Sequence, residues 1–357
     1  MAKSCVGLDI GTSAVKAAQI SQAGDNFILN RVGVAPIPIG AIEGGAVQDI
    51  PTVAQAVSKL LRQTRIPARR VMPAVAGQAV IVRSLKFPAM PREQLAEAVK
   101  WEAERYIPFP VNEAVIDFDV TGTVAETGEQ EIMLVAAQRS IIESHVAVLK
   151  AAGLQTMAMD VQPFALARSL NAHILPIDGQ AANVAMIDVG AGTTDLVIFR
   201  DEVLRFTRII PIGGTYFTRA IAGRLGMTED EAESLKITRG QVPLGENQQF
   251  DSAEDAQLCS VIGAVMGELV TEIRRSIDYF RLQYHEDVSR IVATGGGIML
   301  RNMVISMERE LGLRVETGDP IGQLHPNSRQ CAPELLAMSG PIFCVAVGLA
   351  LRGVQGE

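Results

Sequence analysis

Aromatic residues and cysteines are scarce in this chain. Phe, Trp and Tyr make up 4% of its 357 residues, and its four cysteines include no Cys-x-x-Cys pair. Such cysteines give neither a disulfide framework nor zinc-ligand spacing, which indicates a reducing compartment. The N-terminus lacks the apolar region of a signal peptide, and the run PIFCVAVGLAL is too short to span a bilayer. We therefore expect a cytoplasmic protein that reaches a membrane through a partner.

An excess of positive charge is also absent. The formal net charge is −8, which argues against a nucleic-acid-binding protein but leaves room for a local basic patch. Aliphatic residues and glycine are plentiful instead, with 48% hydrophobic residues and 32 glycines. This length and composition are typical of an α/β protein with parallel or mixed sheets and about two or three domain-sized units.

Two segments about half the chain apart share one pattern. GLDIGTSAVKAAQI and MIDVGAGTTDLVIF both read as an apolar strand, an Asp, a Gly-containing turn with Thr, and a second strand. Each predicts a β-hairpin, and the repetition indicates two lobes built on the same plan. Between them, residues 86–158 predict a helix, two strands and a helix, which would form a separate insertion.

The turn of the first hairpin offers a phosphate site. Backbone N–H groups around Gly11 and the hydroxyls of Thr12 and Ser13 could surround an anion. Lys16 would add a positive charge, and Asp9 could orient Mg²⁺ through water. Taken alone, this pattern is explained better by an ordinary Asp-Gly hairpin.

The second hairpin repeats the same residue types, and the pair together favours a nucleotide site over two ordinary hairpins. Two such turns facing each other would hold a polyphosphate from both sides, with Asp188 as a second acidic group for Mg²⁺. Asp195 has a simpler reading as a strand-start residue that caps a turn. The residues of this second cluster are Asp188, Gly190, Gly192, Thr193, Thr194 and Asp195.

Two further clusters fit the rest of a nucleotide. The predicted strand RIVAT ends at Thr294 and is followed by a Gly-rich segment, where the backbone could approach a flat ligand closely. A flexible turn would explain it equally well. Glu233 and Lys236 share one helix face and could reach ribose hydroxyls, although a solvated surface ion pair is the commoner reading. The glycines of this segment are Gly295, Gly296 and Gly297.

In this order, the clusters resemble those of the actin, sugar-kinase and DnaK-type chaperone superfamily over essentially the whole chain. LDIGTSAVK is similar to its first phosphate motif, IDVGAGTTD to its second and ATGGGIML to its adenosine motif. DVQPFALA and GPIFCVAVGLA stand where its two inter-lobe helices belong. The resemblance implies an α/β, actin-like and ribonuclease H-like fold of two lobes that binds ATP and Mg²⁺.

Within this superfamily, IPIGGTYFTRAIA and the position of the insertion resemble the FtsA branch, whose extra subdomain lies beside the first lobe. The resemblance implies a first lobe of residues 1–85 and 159–182 and an inserted subdomain of residues 86–158. Residues 183–357 would form the second lobe, with a helical subdomain at about 225–288.

The segment EAERYIPFP resembles the PilM family, a cytoplasmic component of the type IV pilus inner-membrane platform. The family implies capture of the cytoplasmic tail of a PilN-like bitopic membrane protein between the first lobe and the insertion. It also implies a peripheral position at the inner face of the inner membrane and contact with other platform proteins. The chain could also form a homo-oligomer. Tyr106, Ile107, Pro108 and Phe109 would form the groove, or would equally well pack the insertion onto the first lobe.

Hydrolysing members of the superfamily place an acidic or amide group on the first connecting segment to position the attacking water. In this chain the segment DVQPFA does not show which residue would reach the phosphate. Asp160 and Gln162 are the candidates, and the sequence does not decide between them. We therefore expect weak or absent ATPase activity. An FtsA-like division or filament protein and a small-molecule kinase are the alternatives. Against the first, the chain stops at LALRGVQGE, before any amphipathic anchor helix.

Overall fold

The computed structural model describes residues 3–124, 127–175, 181–245, 250, 252–327, 331 and 340–356. The helices are α1 Ile50–Thr64, α2 Arg92–Ala103, α3 Arg139–Ala151, α4 Gln162–Ser169, α5 Asn171–Ile174, α6 Gly214–Leu225, α7 Glu229–Arg239, α8 Ala253–Tyr284, α9 Met303–Leu311 and α10 Cys344–Gln355. The strands are β1 Ser4–Ile10, β2 Ala14–Ala23, β3 Asn26–Pro36, β4 Ile42–Glu43, β5 Ala46–Val47, β6 Arg70–Val75, β7 Val80–Phe87, β8 Ala114–Thr123, β9 Gln130–Gln138, β10 Gln155–Thr156, β11 Asp160–Val161, β12 Asn183–Val189, β13 Thr194–Arg200, β14 Val203–Ile210, β15 Val288–Thr294, β16 Val315–Thr317 and β17 His325–Pro326.

The first sheet is built around the N-terminal hairpin. Its order is β10-β6-β1-β2-β3-β17, with β11 also beside β6, and β1 pairs antiparallel with β2 as the sequence predicts. Side chains alternate across β1, so Val6 and Leu8 join the core under α1 and α3. On the opposite face Gly7 lies against α10, where a Cβ atom would be 2.0 Å from the Ala346 carbonyl oxygen.

The second sheet repeats the hairpin in the order β14-β13-β12-β15-β16. Asp188 pairs with Asp195 in its register, as Asp9 pairs with Lys16 in the first sheet. Helix α8 is long and apolar enough to cross a membrane by length and composition. Its apolar stripe packs in the core of the second sheet, where Phe280 contacts Phe206, and this packing accounts for its composition.

A third sheet, in the order β7-β9-β8, is covered by α2 through Leu95 and Val99. It includes residues 80–85, which the sequence predicts to belong to the first lobe, because β7 runs unbroken from Val80 to Phe87 along β9. The following helix α3 buries Val148 and Leu149 in the core of the first sheet. Likewise α10, expected within the second-lobe range, packs on β1 of the first sheet.

In the acidic stretch DSAED, which reads as a loop by composition, residues 253–255 are helical. Glu254 and Asp255 form the first turn of α8, and Ser252 caps it by accepting the Asp255 N–H at 3.1 Å. Acidic side chains stabilise a helix N-terminus because they face unpaired N–H groups. Asp251 lies outside the described residues.

Candidate functional site

The turns of the two repeated hairpins meet between the two large sheets. The Gly11 N–H donates to the Ala14 carbonyl at 3.1 Å, and the Gly190 N–H donates to the Thr193 carbonyl at 2.9 Å. A Cβ atom on Gly192 would lie 2.8 Å from Thr12 Oγ1. The two turns therefore touch, and glycine is required at this contact.

Acidic groups gather beneath the turns. Lys16 Nζ donates to Asp9 Oδ2 at 2.8 Å, and Gln162 Nε2 donates to Asp188 Oδ2 at 2.7 Å. Burial raises the pKa of Asp188 to about 6, with the Lys16 ammonium opposing the rise and the Asp9 carboxylate adding to it. Asp9 and Asp188 are thus close enough to interact, and two neighbouring carboxyl groups would suit a cation.

Asp195 is a second buried carboxyl group at this site. Burial raises its pKa to about 7, and the neighbouring Asp188 adds to the rise. Thr193 Oγ1 donates to Asp195 Oδ2 at 3.2 Å. The Thr194 hydroxyl points elsewhere and donates to the Ile212 carbonyl at 2.7 Å. Asp195 therefore does more than cap a turn, because its carboxyl group also borders a small cleft that Gln162 lines.

The Gly-rich segment closes against the second turn. Gly295 has a φ of +89°, and a Cβ atom there would lie 2.1 Å from Asp188 Oδ1. A Cβ atom on Gly297 would lie 2.2 Å from Val189 Cγ1, whereas one on Gly296 would meet nothing within 4 Å. Two of the three glycines are thus required by close packing, which a freely flexible turn would not need.

Glu233 and Lys236 are tied to the second turn through α6. Lys236 Nζ donates to Glu233 Oε2 at 2.6 Å and to the Gly214 carbonyl at 2.9 Å. The Gly214 N–H in turn donates to the Gly190 carbonyl at 2.9 Å. Lys236 is therefore not a solvated surface charge.

Sequence reasoning did not assign the Gly213–Gly214 support of the second turn to the site. A Cβ atom on Gly213 would lie 2.6 Å from the Ala191 carbonyl oxygen, so this pair must approach the turn closely. The Gly-Gly dipeptide directly before a helix was the available signal, since close backbone approach commonly needs glycine.

The two candidates on the connecting segment lie in different places. Asp160 accepts hydrogen bonds from Arg168 at 2.8 Å and pairs with Arg352 at 3.1 Å, so it joins α4 to α10. Gln162 instead contacts Asp188. It also lines a small open cleft together with Gly77 and Asp195.

The four residues predicted to form the partner-binding groove differ in their exposure. Ile107 is buried among residues of the insertion, with Phe109 partly buried beside it. Tyr106 and Pro108 are exposed, and the Tyr106 hydroxyl donates to Glu102 at 3.3 Å. Ile107 therefore packs within the inserted subdomain and not onto the first lobe, while Tyr106 and Pro108 face outward.

Comparison with known proteins places this arrangement in a family. A family model described as "Type IV pilus assembly protein PilM" matches residues 7–354. A solved structure described as the PilM-PilN type IV pilus biogenesis complex aligns with a TM-score of 0.86 and 32% identity, covering 98% of each chain. The cell division protein FtsA of Neisseria meningitidis serogroup B is 25% identical over 381 residues, which cover 96% of this chain and 88% of FtsA.

A more distant structure supports the fold alone. MreB5 of Spiroplasma citri bound to ADP aligns with a TM-score of 0.53 and 14% identity, covering 98% of this chain and 96% of MreB5. The predicted actin-like α/β fold and the predicted family are both confirmed. Because the family match extends over nearly the whole sequence, the chain belongs to the PilM family of type IV pilus assembly proteins.

Proposed function

We propose that this chain is a cytoplasmic ATP-binding scaffold of the type IV pilus assembly platform, or of a related system. It would bind the short cytoplasmic tail of a PilN-like membrane protein and lie at the inner face of the inner membrane. The observation that carries this proposal is the similarity to the PilM-PilN complex, at 32% identity over 98% of both chains.

ATP with Mg²⁺ fits the residues between the two hairpins. The turns Gly11–Ser13 and Gly190–Thr193 would offer backbone N–H groups and hydroxyls to phosphates, whereas the Thr194 hydroxyl is already bonded to the Ile212 carbonyl. The segment Gly295–Gly297 would receive the adenosine, with Glu233 and Lys236 near its ribose. Bound Mg²⁺ would neutralise phosphate charge, and Asp9 and Asp188 would orient it through water. The burial of Asp188 supports this assignment, because burial raises its pKa to about 6 and the nearby Asp9 carboxylate adds to the rise, so a cation would stabilise the charged form.

Hydrolysis is expected to be weak or absent. Asp160 is held by two arginines, and the amide nitrogen of Gln162 donates to Asp188. Of the two candidates, Gln162 would therefore be the one to orient a water, but its amide group is already engaged by Asp188. We expect phosphate release far below about 1 per second, the lower end of typical enzyme turnover. A steady-state rate within the usual enzyme range would contradict the scaffold role of the nucleotide.

Tail binding can be measured with a fluorescent peptide that copies the cytoplasmic tail of the cognate PilN-like protein. Tyr106→Ala should weaken binding about tenfold, since buried aromatic contacts dominate such interfaces. Phe109→Ala should weaken it less, because Phe109 also packs the insertion. Tyr279→Ala, at an exposed site on α8, is the matched control and should bind as the wild type does. Equal affinity for all four proteins would remove residues 106–109 from the interface.

The FtsA relatives keep a division role as the competing function. Affinity purification of the tagged chain from detergent-solubilised membranes, with and without Mg·ATP, separates the two. Recovery of a single-span membrane protein with a short cytoplasmic tail supports the platform role. Recovery of a division tubulin without such a protein would overturn it.

A further inference from the structure

A positively charged surface lies at one end of the first sheet. The chain carries a net charge of −8, yet it has eight Lys and Arg residues and no acidic residue between Asp49 and Glu93. Five of these cations fall within twelve residues, and all five side chains are exposed: Lys59, Arg62, Arg65, Arg69 and Arg70.

The five side chains follow one another from the end of α1 through the connecting turn to the start of β6. Lys59 and Arg62 are three residues apart on the outer face of α1. Arg65 ends the helix, with its N–H donating to the Arg62 carbonyl at 3.2 Å. Arg70 then begins β6 opposite Gln155 of β10, and the Gln155 N–H donates to the Arg69 carbonyl at 2.9 Å.

Two lysines extend the same surface. Lys3 and Arg70 both lower the pKa of Cys5, against the larger opposite effect of burial, so both lie near the start of β1. Lys150 is exposed in the last turn of α3, five residues before Gln155. We call the seven cations the basic end: Lys3, Lys59, Arg62, Arg65, Lys150, Arg69 and Arg70.

The basic end carries nearly uncompensated charge. None of its seven side chains forms an ion pair with a residue in the described part of the chain. Asp25, in the turn between β2 and β3, is an acidic neighbour at this end of the sheet and offsets one charge. Because Gly7 pairs with Met72 in parallel register, Arg70 lies level with Cys5, at the opposite end of β1 from the nucleotide turns.

We propose that the basic end binds directly to the anionic surface of a lipid bilayer. Each Lys or Arg near such a surface is attracted by the negative headgroups, and a guanidinium group can donate two parallel hydrogen bonds to the oxygens of one phosphate. The cations project from a helix face, a turn and a strand start, which suits a broad charged surface. An acidic peptide would be gripped better by side chains that converge in a groove.

The charge distribution also fixes an orientation. Since the net charge of the whole chain is −8 despite the basic segment, the rest of the molecule is strongly acidic. An anionic surface attracts the basic end and repels the remainder, so the protein binds with its nucleotide turns directed away from the bilayer. This contact needs no protein partner, and it therefore goes beyond the proposed function.

The test is flotation of the purified full chain with vesicles of phosphatidylcholine alone or mixed with phosphatidylglycerol. The wild type should bind the anionic vesicles at low salt, release from them at high salt, and ignore the neutral ones. The triple variant Lys59→Gln/Arg62→Gln/Arg69→Gln should partition about a hundredfold more weakly. Lys100→Gln/Arg224→Gln/Arg301→Gln changes the net charge equally at exposed sites elsewhere and should bind as the wild type does.

Thermal unfolding of each variant shows that lost binding does not come from lost folding. Equal weakening by both triple variants, or wild-type binding to neutral vesicles, would overturn the proposal. Binding to soluble polyglutamate without binding to anionic vesicles would overturn it in favour of an acidic protein partner. No tail peptide is present, so failure here leaves the proposed function untouched, and a failed tail titration leaves this result standing.

Discussion

At the scale of single residues, two buried carboxyl groups give the site its pH dependence. Asp195 is 6% exposed and its pKa is raised to about 7 by burial and by Asp188. A raised pKa means that the folded protein holds this proton more tightly than the unfolded chain does. The stabilising contribution is complete below the unfolded pKa near 4 and is lost as the pH rises through about 7.

Asp195→Asn should remove this dependence. At pH 8 the variant should be more stable than the wild type, because no charge is buried there, whereas at pH 5 that advantage should shrink or reverse. The change is on the order of 1.4 kcal/mol for each unit of pKa shift. Urea unfolding at the two pH values measures it, with Asp25→Asn in an exposed turn as the control. Parallel profiles for wild type and Asp195→Asn would show that Asp195 is not a buried titrating group.

Asp188 should make nucleotide affinity depend on pH. Its pKa is raised to about 6, so lowering the pH from 7 to 5 protonates the carboxyl group proposed to orient Mg²⁺. We expect Mg·ATP affinity to fall up to about tenfold per pH unit below 6, the limit for one competing proton. Isothermal titration measures this, and Asp188→Asn should bind weakly at every pH. An affinity for Mg·ATP that is flat from pH 5 to 7 would argue against this role.

At the scale of elements, the decisive contact is the crossing of α4 and α10. A Cβ atom on Gly348 would lie 1.8 Å from the Ala165 carbonyl oxygen, so the helices meet backbone to backbone. Asp160 strengthens this junction through Arg168 and Arg352. The crossing fixes where Gln162, the first residue of α4, stands relative to Asp188.

Gly348→Ala should lower the free energy of unfolding by about 1–3 kcal/mol or more, because the helices must separate to admit the methyl group. Gly267→Ala is the matched control in the interior of α8, where an added Cβ meets nothing within 4 Å. It should stabilise the protein by about 0.5–1 kcal/mol through the better helix propensity of alanine. Urea unfolding compares the two, and equal effects would mean that the crossing can relax.

At the scale of the whole molecule, the inserted sheet is joined to the second large sheet through their edge strands. Thr207 Oγ1 on β14 donates to the Val82 carbonyl on β7 at 3.2 Å, and Arg83 Nη1 donates to the Thr207 carbonyl at 3.2 Å. Strand β14 ends at Ile210 and leads into the Gly213–Gly214 support of the second phosphate turn. The proposed nucleotide site and the inserted sheet are thus linked by a short path.

Mg·ATP should therefore slow amide hydrogen exchange in β7 as well as in the phosphate turns. Arg83→Met should keep most of the nucleotide affinity but weaken the protection of β7, because it removes the hydrogen bond from Arg83 to the Thr207 carbonyl and leaves the one from Thr207 to the Val82 carbonyl. Arg105→Met, an exposed arginine of the same subdomain, should behave as the wild type does. Mass spectrometry of the exchanged protein measures this, and unchanged protection in Arg83→Met would exclude the path.

The sequence by itself determined the repeated hairpins, the order of the glycine clusters and the family. These features are local, since a strand and a tight turn with its glycines are set by residues a few positions apart. The resemblance of their order to that of the actin superfamily predicted the actin-like fold. The sequence did not separate the roles of Asp160 and Gln162, which stand two residues apart.

Only the tertiary structure decided that question, because the partners come from distant parts of the chain. Arg352 reaches Asp160 from 192 positions away, Thr12 meets Gly192, and β7 begins before the predicted boundary because β9 pairs with all of it. The burial that shifts the pKa of Asp195 likewise depends on elements folded around it. Long-range packing sets which charge is buried and which pair is made, and no local pattern encodes either.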